Sequence, residues 1–231
     1  MKEIPVSSFL ELHQALQGCR NNPLWIFRGQ SDVSWKLIPK AGRSPFNRVE
    51  DDALFYSWKS DAIQYIADKP RTELEWLAIA QHHGLATRLL DWTRNPLVAA
   101  FFAVWENANT DAALFAFFSC EIVAADYDAS PFYSETKRNV FVWGPDAISP
   151  RIIRQQGIFT VHEPAKTPLY ILKGMDELIC LRIDKNYRQK LREELAHYGI
   201  TRATLFPDLE GLANYHNWKI HYEFPNFRQA T

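Results

Sequence analysis

Apolar residues recur every three or four positions in several stretches of the chain, which is the spacing of one face of a helix. Ser8 and Thr72 each precede a glutamate by three residues, the arrangement of a capping box at a helix start. Asn95 followed by Pro96 is also typical of a first helical turn, and Gly84 is typical of a left-handed helix end. The pattern therefore predicts helices over residues 8–18, 50–67, 72–84, 96–105 and 186–198, with another beginning at 206–210.

Short apolar runs bounded by turn-forming residues predict the strands. These runs lie at residues 23–27, 35–38, 112–118, 138–143, 158–161, 169–172 and 178–183. The first run would deliver Arg28 at its end, where Gly29 would permit a sharp turn. Because helices and strands do not alternate strictly, we expect an α+β fold in a single domain over residues 1–231, with mixed or antiparallel central strands flanked by helices.

A polar segment interrupts the apolar stretch at residues 73–105. We expect two helices there, joined by a tight loop over residues 87–94 that carries Arg88, Asp91 and Arg94. Polar groups held between buried elements are costly unless they have partners. The loop is therefore either an internal hub that satisfies itself, with Asp91 paired to Arg88 or Arg28, or one wall of a ligand site. The sequence is compatible with both interpretations.

The composition narrows the classes of partner. The chain has 231 residues and a formal net charge of -1, which gives no global basic footprint for nucleic acid but allows a local patch.

Cys19, Cys120 and Cys180 are odd in number and lack a C-x-x-C spacing, so we expect reduced core thiols in a cytoplasmic protein. No apolar run reaches the roughly 18 residues of a membrane span, so no membrane partner is expected. His82 and His83 would point about 100° apart on a helix, and we predict no metal site.

A few polar positions are candidates for chemistry. Arg28 has a planar fork that can hold a phosphate or carboxylate through two hydrogen bonds, and the alternative is an internal ion pair. Trp92 can cover a flat ring of a ligand, and Thr93 lies near a helix start, where phosphate is favoured. Gln155 and Gln156 follow a basic turn and precede a strand, so either amide can face a cleft; ordinary solvent exposure is the alternative.

Several ordered motifs point to a known family. The motif Phe27-Arg28-Gly29-Gln30 and the segments 83–93, 95–99, 151–159 and 199–209 together resemble the FRG domain family, which is named for its Phe-Arg-Gly motif. The resemblance spans residues 9–215. This family is bacterial and phage-associated and often lies among defence or toxin-like genes. The resemblance therefore implies a toxin or anti-phage effector with an antitoxin or another defence protein as partner.

A weaker similarity concerns the mono-ADP-ribosyltransferases, whose first motif is an aromatic-Arg-Gly at the end of an early strand. Their second motif is a polar segment with a threonine before a buried helix, and their third is an acidic turn into a late strand. The resemblance implies that Arg28 binds the diphosphate of NAD and that residues 91–93 line the nicotinamide pocket. Gln155 or Gln156 stands where these enzymes keep acidic residues, so the chain departs from the pattern by lacking that charge.

The similarity thus implies an ADP-ribosyltransferase-like enzyme that uses NAD and modifies a nucleic-acid or protein acceptor. The alternative is a non-catalytic module that binds a nucleotide, a nucleic acid or a protein. The implied catalytic residues are Arg28, Asp91 and Gln155. The implied NAD-binding residues are Arg28, Gly29, Gln30, Arg88, Trp92, Thr93 and Gln156.

Overall fold

One mixed β-sheet carries the fold. The computed structural model describes residues 1–19, 21–106, 108–120, 122–123, 130–133, 139–147, 149–169 and 176–222. Within these residues the sheet has eight strands. They are β1 (Lys2–Val6), β2 (Trp25–Gln30), β3 (Leu89–Thr93), β4 (Ala112–Ser119), β5 (Ile122–Val123), β6 (Val140–Trp143), β7 (Gly157–His162) and β8 (Asp176–Ile183).

The strands lie in the order β1-β8-β4-β2-β3-β7-β6-β5. β1 is parallel to β8 and β5 is parallel to β6, whereas the other neighbours are antiparallel. The helices are α1 (Phe9–Ala15), α2 (Asp51–Ala62), α3 (Glu73–His82), α4 (Pro96–Val104), α5 (Pro150–Gln155), α6 (Arg188–His197), α7 (Arg202–Leu205) and α8 (Leu209–Tyr222). In the described part of the chain, no helix combines the length and apolar character needed to cross a bilayer. The predicted α+β class with mixed central strands is confirmed.

Helices cover one face of the sheet in two groups. α1, α4 and α6 pack over β2, β4 and β8, where Phe101 and Leu114 are buried. α2 and α3 pack over β3, β6 and β7, where Phe55 and Leu77 are buried. The opposite face of the strands forms a third apolar core around Phe115. Each central strand is therefore buried on both faces, which favours apolar runs over strict alternation.

The sheet is split at its centre. β2 pairs with β4 along its whole length, and β3 pairs with β7 along its whole length. Between β2 and β3, however, the ladder consists of one pair, Phe27 opposite Thr93. Beyond that pair the two strands separate, and the space between them becomes part of a cleft described below.

Several local signals in the sequence are confirmed. The side chains of Ser8 and Thr72 each accept a hydrogen bond from the backbone N–H three residues later, at the starts of α1 and α3. Asn95 accepts one from the N–H two residues later, at the start of α4. Gly84 and Gly199 have φ angles of 96° and 75°, as expected for left-handed helix ends. These signals succeeded because each depends on a few neighbouring residues.

Residues 87–94 are not the predicted loop between two helices. They contain β3, in which Leu90 and Trp92 are buried while the backbone pairs with β7. The polar side chains suggested a tight loop, but the ladder satisfies the backbone here. The strand predicted at residues 35–38 was also wrong, because these residues join no ladder. Of the strand predicted at residues 169–172, only residue 169 lies within the described residues.

Arg28 and Gly29 lie inside β2 rather than after its end, because the ladder with β4 continues to Gln30. The predicted turn at Gly29 is therefore absent. A methyl group at this position would overlap the backbone oxygen of Ala99 and the backbone nitrogen of Ala103 in α4. The glycine instead lets α4 approach the sheet at backbone-to-backbone distance.

The three cysteines differ in their surroundings. Cys19 and Cys180 are buried, and burial raises the pKa of each thiol to about 11, so the reactive thiolate is disfavoured. Cys120 is exposed, so its predicted place in the core was wrong. It follows β4 directly, where the chain leaves the sheet.

We expect Gly29→Ala to lower the free energy of unfolding by about 2–3 kcal/mol, because the overlap with α4 involves backbone atoms that no side-chain rotation can relieve. Gly18→Ala is the matched control. Its added methyl group would meet no atom within 4 Å, and we expect a change of about 0.5 kcal/mol or less. Urea unfolding followed by tryptophan fluorescence measures both variants, and equal stabilities would contradict the close approach.

A chain of hydrogen bonds crosses the core from β3 to the segment after β7. The Trp92 Nε1–H donates to the Thr160 hydroxyl at 3.0 Å, and that hydroxyl lies 2.9 Å from His162 Nε2. His162 Nδ1 lies 2.6 Å from the backbone oxygen of Thr167. A carbonyl only accepts, so Nδ1 carries the proton and Nε2 accepts from the hydroxyl. His162 is fully buried, and burial lowers its pKa to about 4.

This pKa predicts a loss of stability in mild acid. The ordinary pKa of 6.5 applies to the unfolded chain, so between about pH 4 and 6.5 the unfolded state binds the proton more readily. The contribution of His162 is complete above pH 6.5 and is lost as the pH falls towards 4. We expect it to be smaller by roughly 1–2 kcal/mol at pH 5 than at pH 7.5. Urea unfolding of wild type and His162→Gln tests this, since the free energy of unfolding of the variant should depend less on pH. An identical pH dependence of the two proteins would contradict the prediction.

Candidate functional site

A cleft of about 310 Å³ opens where β2 and β3 separate. α3 and α5 line one side of it, and α4 lines the other. Arg28, Asp91 and Gln155, which the sequence analysis placed in one site from three separate segments, all line this cleft. The sheet therefore brings together residues that lie up to 127 positions apart (155 minus 28) in the chain.

Arg28 spans the gap between the separating strands. Its NH1 group donates to the backbone oxygen of Asp91 at 2.6 Å, and its side chain is 15% exposed. Its Nε, which is buried, has no hydrogen-bond partner within the described residues. Burial lowers the pKa of Arg28 to about 10, although Asp91 opposes this shift. Arg28 is thus a poorly solvated cation at neutral pH that retains hydrogen-bonding capacity.

Asp91 uses its backbone and its side chain for different contacts. The backbone oxygen holds Arg28, whereas the nearest carboxylate oxygen lies 3.9 Å from the Arg28 NH1 group. The other carboxylate oxygen accepts from Gln81 Nε2 at 2.6 Å, and Gln81 in turn accepts from the Thr87 hydroxyl. The Asp91 side chain remains 65% exposed. The carboxylate is therefore oriented by Gln81 and still accessible from the cleft.

Gln155 reaches the cleft from the last residue of α5. Its backbone oxygen accepts from the Thr93 hydroxyl at 2.6 Å, and the same hydroxyl accepts from the backbone N–H of Asn95 at 3.0 Å. Thr93 thereby joins the end of β3 to α4 and α5. The side-chain amide nitrogen of Gln155 donates to the backbone oxygen of Leu205 at 3.1 Å. One of the two N–H groups of its amide is thus engaged.

The remaining predicted binding residues divide into two groups. Gly29, Gln30, Trp92 and Thr93 line the cleft. The Trp92 ring, however, is only 3% exposed, so it packs in the core and offers little surface for stacking on a ligand. Gln156 lies outside the lining, is exposed, and adopts a left-handed φ of 48° at the end of α5. Its geometry is that of a helix cap.

Arg88 also lies outside the cleft and is satisfied by its own neighbours. Its Nε and NH2 groups donate to the two carboxylate oxygens of Asp51 at 2.9 and 2.8 Å. Its NH1 group donates to the backbone oxygen of Pro131 at 2.7 Å, and the guanidinium lies 4.2 Å from the Phe132 ring centroid. With 5% of its side chain exposed, Arg88 holds α2 against the sheet. The structure therefore separates it from the residues with which the sequence analysis grouped it.

The cleft carries more positive than negative charge. Its charged lining residues are Arg28, Arg43, Arg151, Asp91 and Glu106. Burial lowers the pKa of Arg151, with the nearby Asp91 opposing the shift. Burial also lowers the pKa of His82, which Arg151 lowers further. Burial thus disfavours the cationic forms of Arg28, Arg151 and His82.

Several polar lining residues were not assigned to the site from the sequence. Arg43 lies in the loop before α2, and Arg151 lies in the first turn of α5; each looks like an ordinary surface cation. Gln81 and His82 lie in the last turn of α3, where capping is the usual function of polar side chains. Their only common signal is tertiary, since α3 and α5 border the same gap in the sheet. Among the described residues, no group of three His, Cys, Asp or Glu side chains could hold a metal ion.

Replacing Arg28 and Arg88 one at a time distinguishes a ligand site from a structural hub. Arg88→Met should lower the free energy of unfolding by roughly 3 kcal/mol, because it leaves the Asp51 carboxylate, 11% exposed, without its partner. Arg28→Met should change it by about 1 kcal/mol or less, because one hydrogen bond is lost while a poorly solvated cation is removed. Urea unfolding of the two variants checks this. Unfolding caused by Arg28→Met would show that Arg28 is mainly structural.

Comparison with curated proteins and with solved structures gives no match. A family model does match part of the chain, residues 23–112. This segment contains β2, β3 and α4, and therefore Arg28, Asp91 and the split between the strands, whereas α5 with Gln155 lies outside it. The model that matches residues 23–112 is that of the FRG domain.

Proposed function

We propose that the cleft binds a nucleotide through its phosphates, that NAD is this ligand, and that the chain acts as an ADP-ribosyltransferase-like enzyme. The observation that carries the proposal is the convergence of Arg28, Asp91 and Gln155 on one cleft that is rich in arginine. A diphosphate supplies the negative charge that this lining lacks. Arginine forks match phosphate oxygens in geometry as well as in charge.

Arg28 is the proposed anchor for the diphosphate. Its NH1 group is fixed by the Asp91 backbone, which aligns the guanidinium before any ligand arrives. Its side chain remains 15% exposed, so part of the guanidinium is accessible to a phosphate oxygen. Arg43 and Arg151 also line the cleft and extend the positive charge along a ligand with two phosphates. Preorganised donors of this kind gain affinity because little freedom remains to be lost on binding.

Asp91 is the proposed catalytic carboxylate. Cleavage of the bond between ribose and nicotinamide leaves the electron pair on the nicotinamide nitrogen and positive charge on the ribose ring. An accessible carboxylate oriented by Gln81 can stabilise that charge. An oxygen or nitrogen of the acceptor then bonds to the ribose carbon and loses its proton. Gln155 is neutral and would contact ribose or acceptor without supplying charge.

This activity implies partners. The acceptor would be a nucleic acid or a protein, and a cytoplasmic chain that consumes NAD would have to be restrained by an antitoxin or another defence protein. The lining of the cleft supports the ligand class, while the toxin or anti-phage role follows from the FRG resemblance.

Calorimetry with NAD and chromatographic detection of free nicotinamide test the proposal together. Arg28→Ala should weaken NAD binding about 10- to 100-fold, since it removes a charged hydrogen-bond donor. Asp91→Asn should bind NAD within about threefold of wild type but release nicotinamide at least about 100-fold more slowly. Arg182→Ala is the matched control, because Arg182 pairs with Glu3 and Asp111 outside the cleft. Absence of NAD binding by the wild type would refute the proposal.

A second candidate is a nucleotide-binding module without turnover. The favouring observation is that Gln155 is uncharged and that its amide nitrogen is bound to Leu205. In this case the wild type would bind NAD, Arg28→Ala would lose that binding, and no nicotinamide would appear even with added nucleic-acid and protein acceptors. The same two measurements therefore distinguish the candidates.

A further inference from the structure

Two buried polar atoms without partners lie close together on β2. Within the described residues, neither Arg28 Nε nor Gln30 Oε1 has a hydrogen-bond partner. Both residues line the cleft, and Gln30 is only 4% exposed. Alternate residues of a strand point to the same side, so the two side chains leave β2 in the same direction, about 6.5 Å apart along the strand.

The neighbouring strand β4 offers neither Arg28 nor Gln30 a side-chain hydrogen-bond partner. Their neighbours across the ladder in β4 are Phe115 and Ala113, both buried and apolar. A buried acceptor without a partner costs free energy, and an apolar residue of the same shape would serve the fold better. Within the described residues, the fold therefore supplies no partner that explains an amide at this position.

We propose that Gln30 selects ligands that present a neutral hydrogen-bond donor beside the anionic group held by Arg28. The inference rests on the proposed nucleotide binding and names a second group of the ligand that the same site recognises besides phosphate. An acceptor oxygen requires an O–H or N–H group, and it disfavours a carboxylate. On the nicotinamide side of its diphosphate, NAD carries such donors in two places. They are the hydroxyls of the ribose and the carboxamide of the nicotinamide.

The stability of the ligand-free protein gives the first test. Gln30→Met keeps the length of the side chain and removes the unpartnered oxygen, so it should raise the midpoint of thermal unfolding. A structural amide would give the opposite sign. Gln189→Met is the matched control, because Gln189 is exposed on α6, outside the cleft, and donates to Glu193. It should leave both stability and binding unchanged.

Ligand binding gives the second test, by calorimetry with NAD, nicotinic acid adenine dinucleotide and ADP-ribose. Gln30→Met should weaken NAD binding about tenfold, the effect of one buried hydrogen bond. An equal loss for ADP-ribose assigns the donor to a ribose hydroxyl. A loss confined to NAD, with poor binding of the acid analogue by the wild type, assigns it to the carboxamide. Gln30→Asn, which keeps the amide but withdraws it by one methylene, should weaken NAD in the same way.

The outcomes separate this inference from the proposed function. If Arg28→Ala abolishes NAD binding while Gln30→Met and Gln30→Asn bind NAD like the wild type, the function stands and the role of Gln30 is refuted. If Gln30→Met unfolds or loses stability and Gln30→Asn binds normally, the amide is structural and the inference again fails. If the wild type binds neither NAD nor ADP-ribose, both proposals fail.

Discussion

The hydrogen bond from Arg28 to the backbone oxygen of Asp91 is the contact on which the site depends. A sheet whose central strands separate leaves backbone groups without ladder partners, and buried groups of this kind are costly. Arg28 supplies one of the missing donors by reaching across the gap between β2 and β3. The side chain that bridges the split is therefore a cation that also lines the cleft.

A second constraint keeps the cleft narrow. α4 lies against β2 so closely that Gly29 has no room for a side chain, and the facing helix positions include Ala99 and Ala103. The same helix lines the cleft on the β2 side. Because the atoms nearest to Gly29 are backbone atoms of α4, side-chain rotation cannot widen the space between α4 and β2. The hydroxyl of Thr93 then fixes α5 to the end of β3, so the two sides of the cleft are anchored at the same strand pair.

The sequence predicted local structure well where the signal was local. Capping at Ser8, Thr72 and Asn95 involves residues two or three positions apart, and each cap was found. β3 was mistaken for a loop because it is buried on both faces, so Asp91 interrupts an apolar run instead of belonging to an alternating pattern. The different roles of Arg28 and Arg88 could not be predicted from the sequence for a similar reason. Arg88 is neutralised by Asp51, which lies 37 positions earlier, and no spacing rule distinguishes it from Arg28.

The convergence of Arg28, Asp91 and Gln155 was predicted, but their division of labour was not. The sequence predicted that the Asp91 carboxylate orients an arginine, whereas the Asp91 backbone oxygen accepts the hydrogen bond from Arg28. This changes the chemical argument about the missing acidic residue at Gln155. The Asp91 carboxylate lies 3.9 Å from Arg28 NH1, is 65% exposed and is held by Gln81. Under the proposed function it would stabilise positive charge on a ribose, and Asp91 in β3 would supply the acidic function expected near α5.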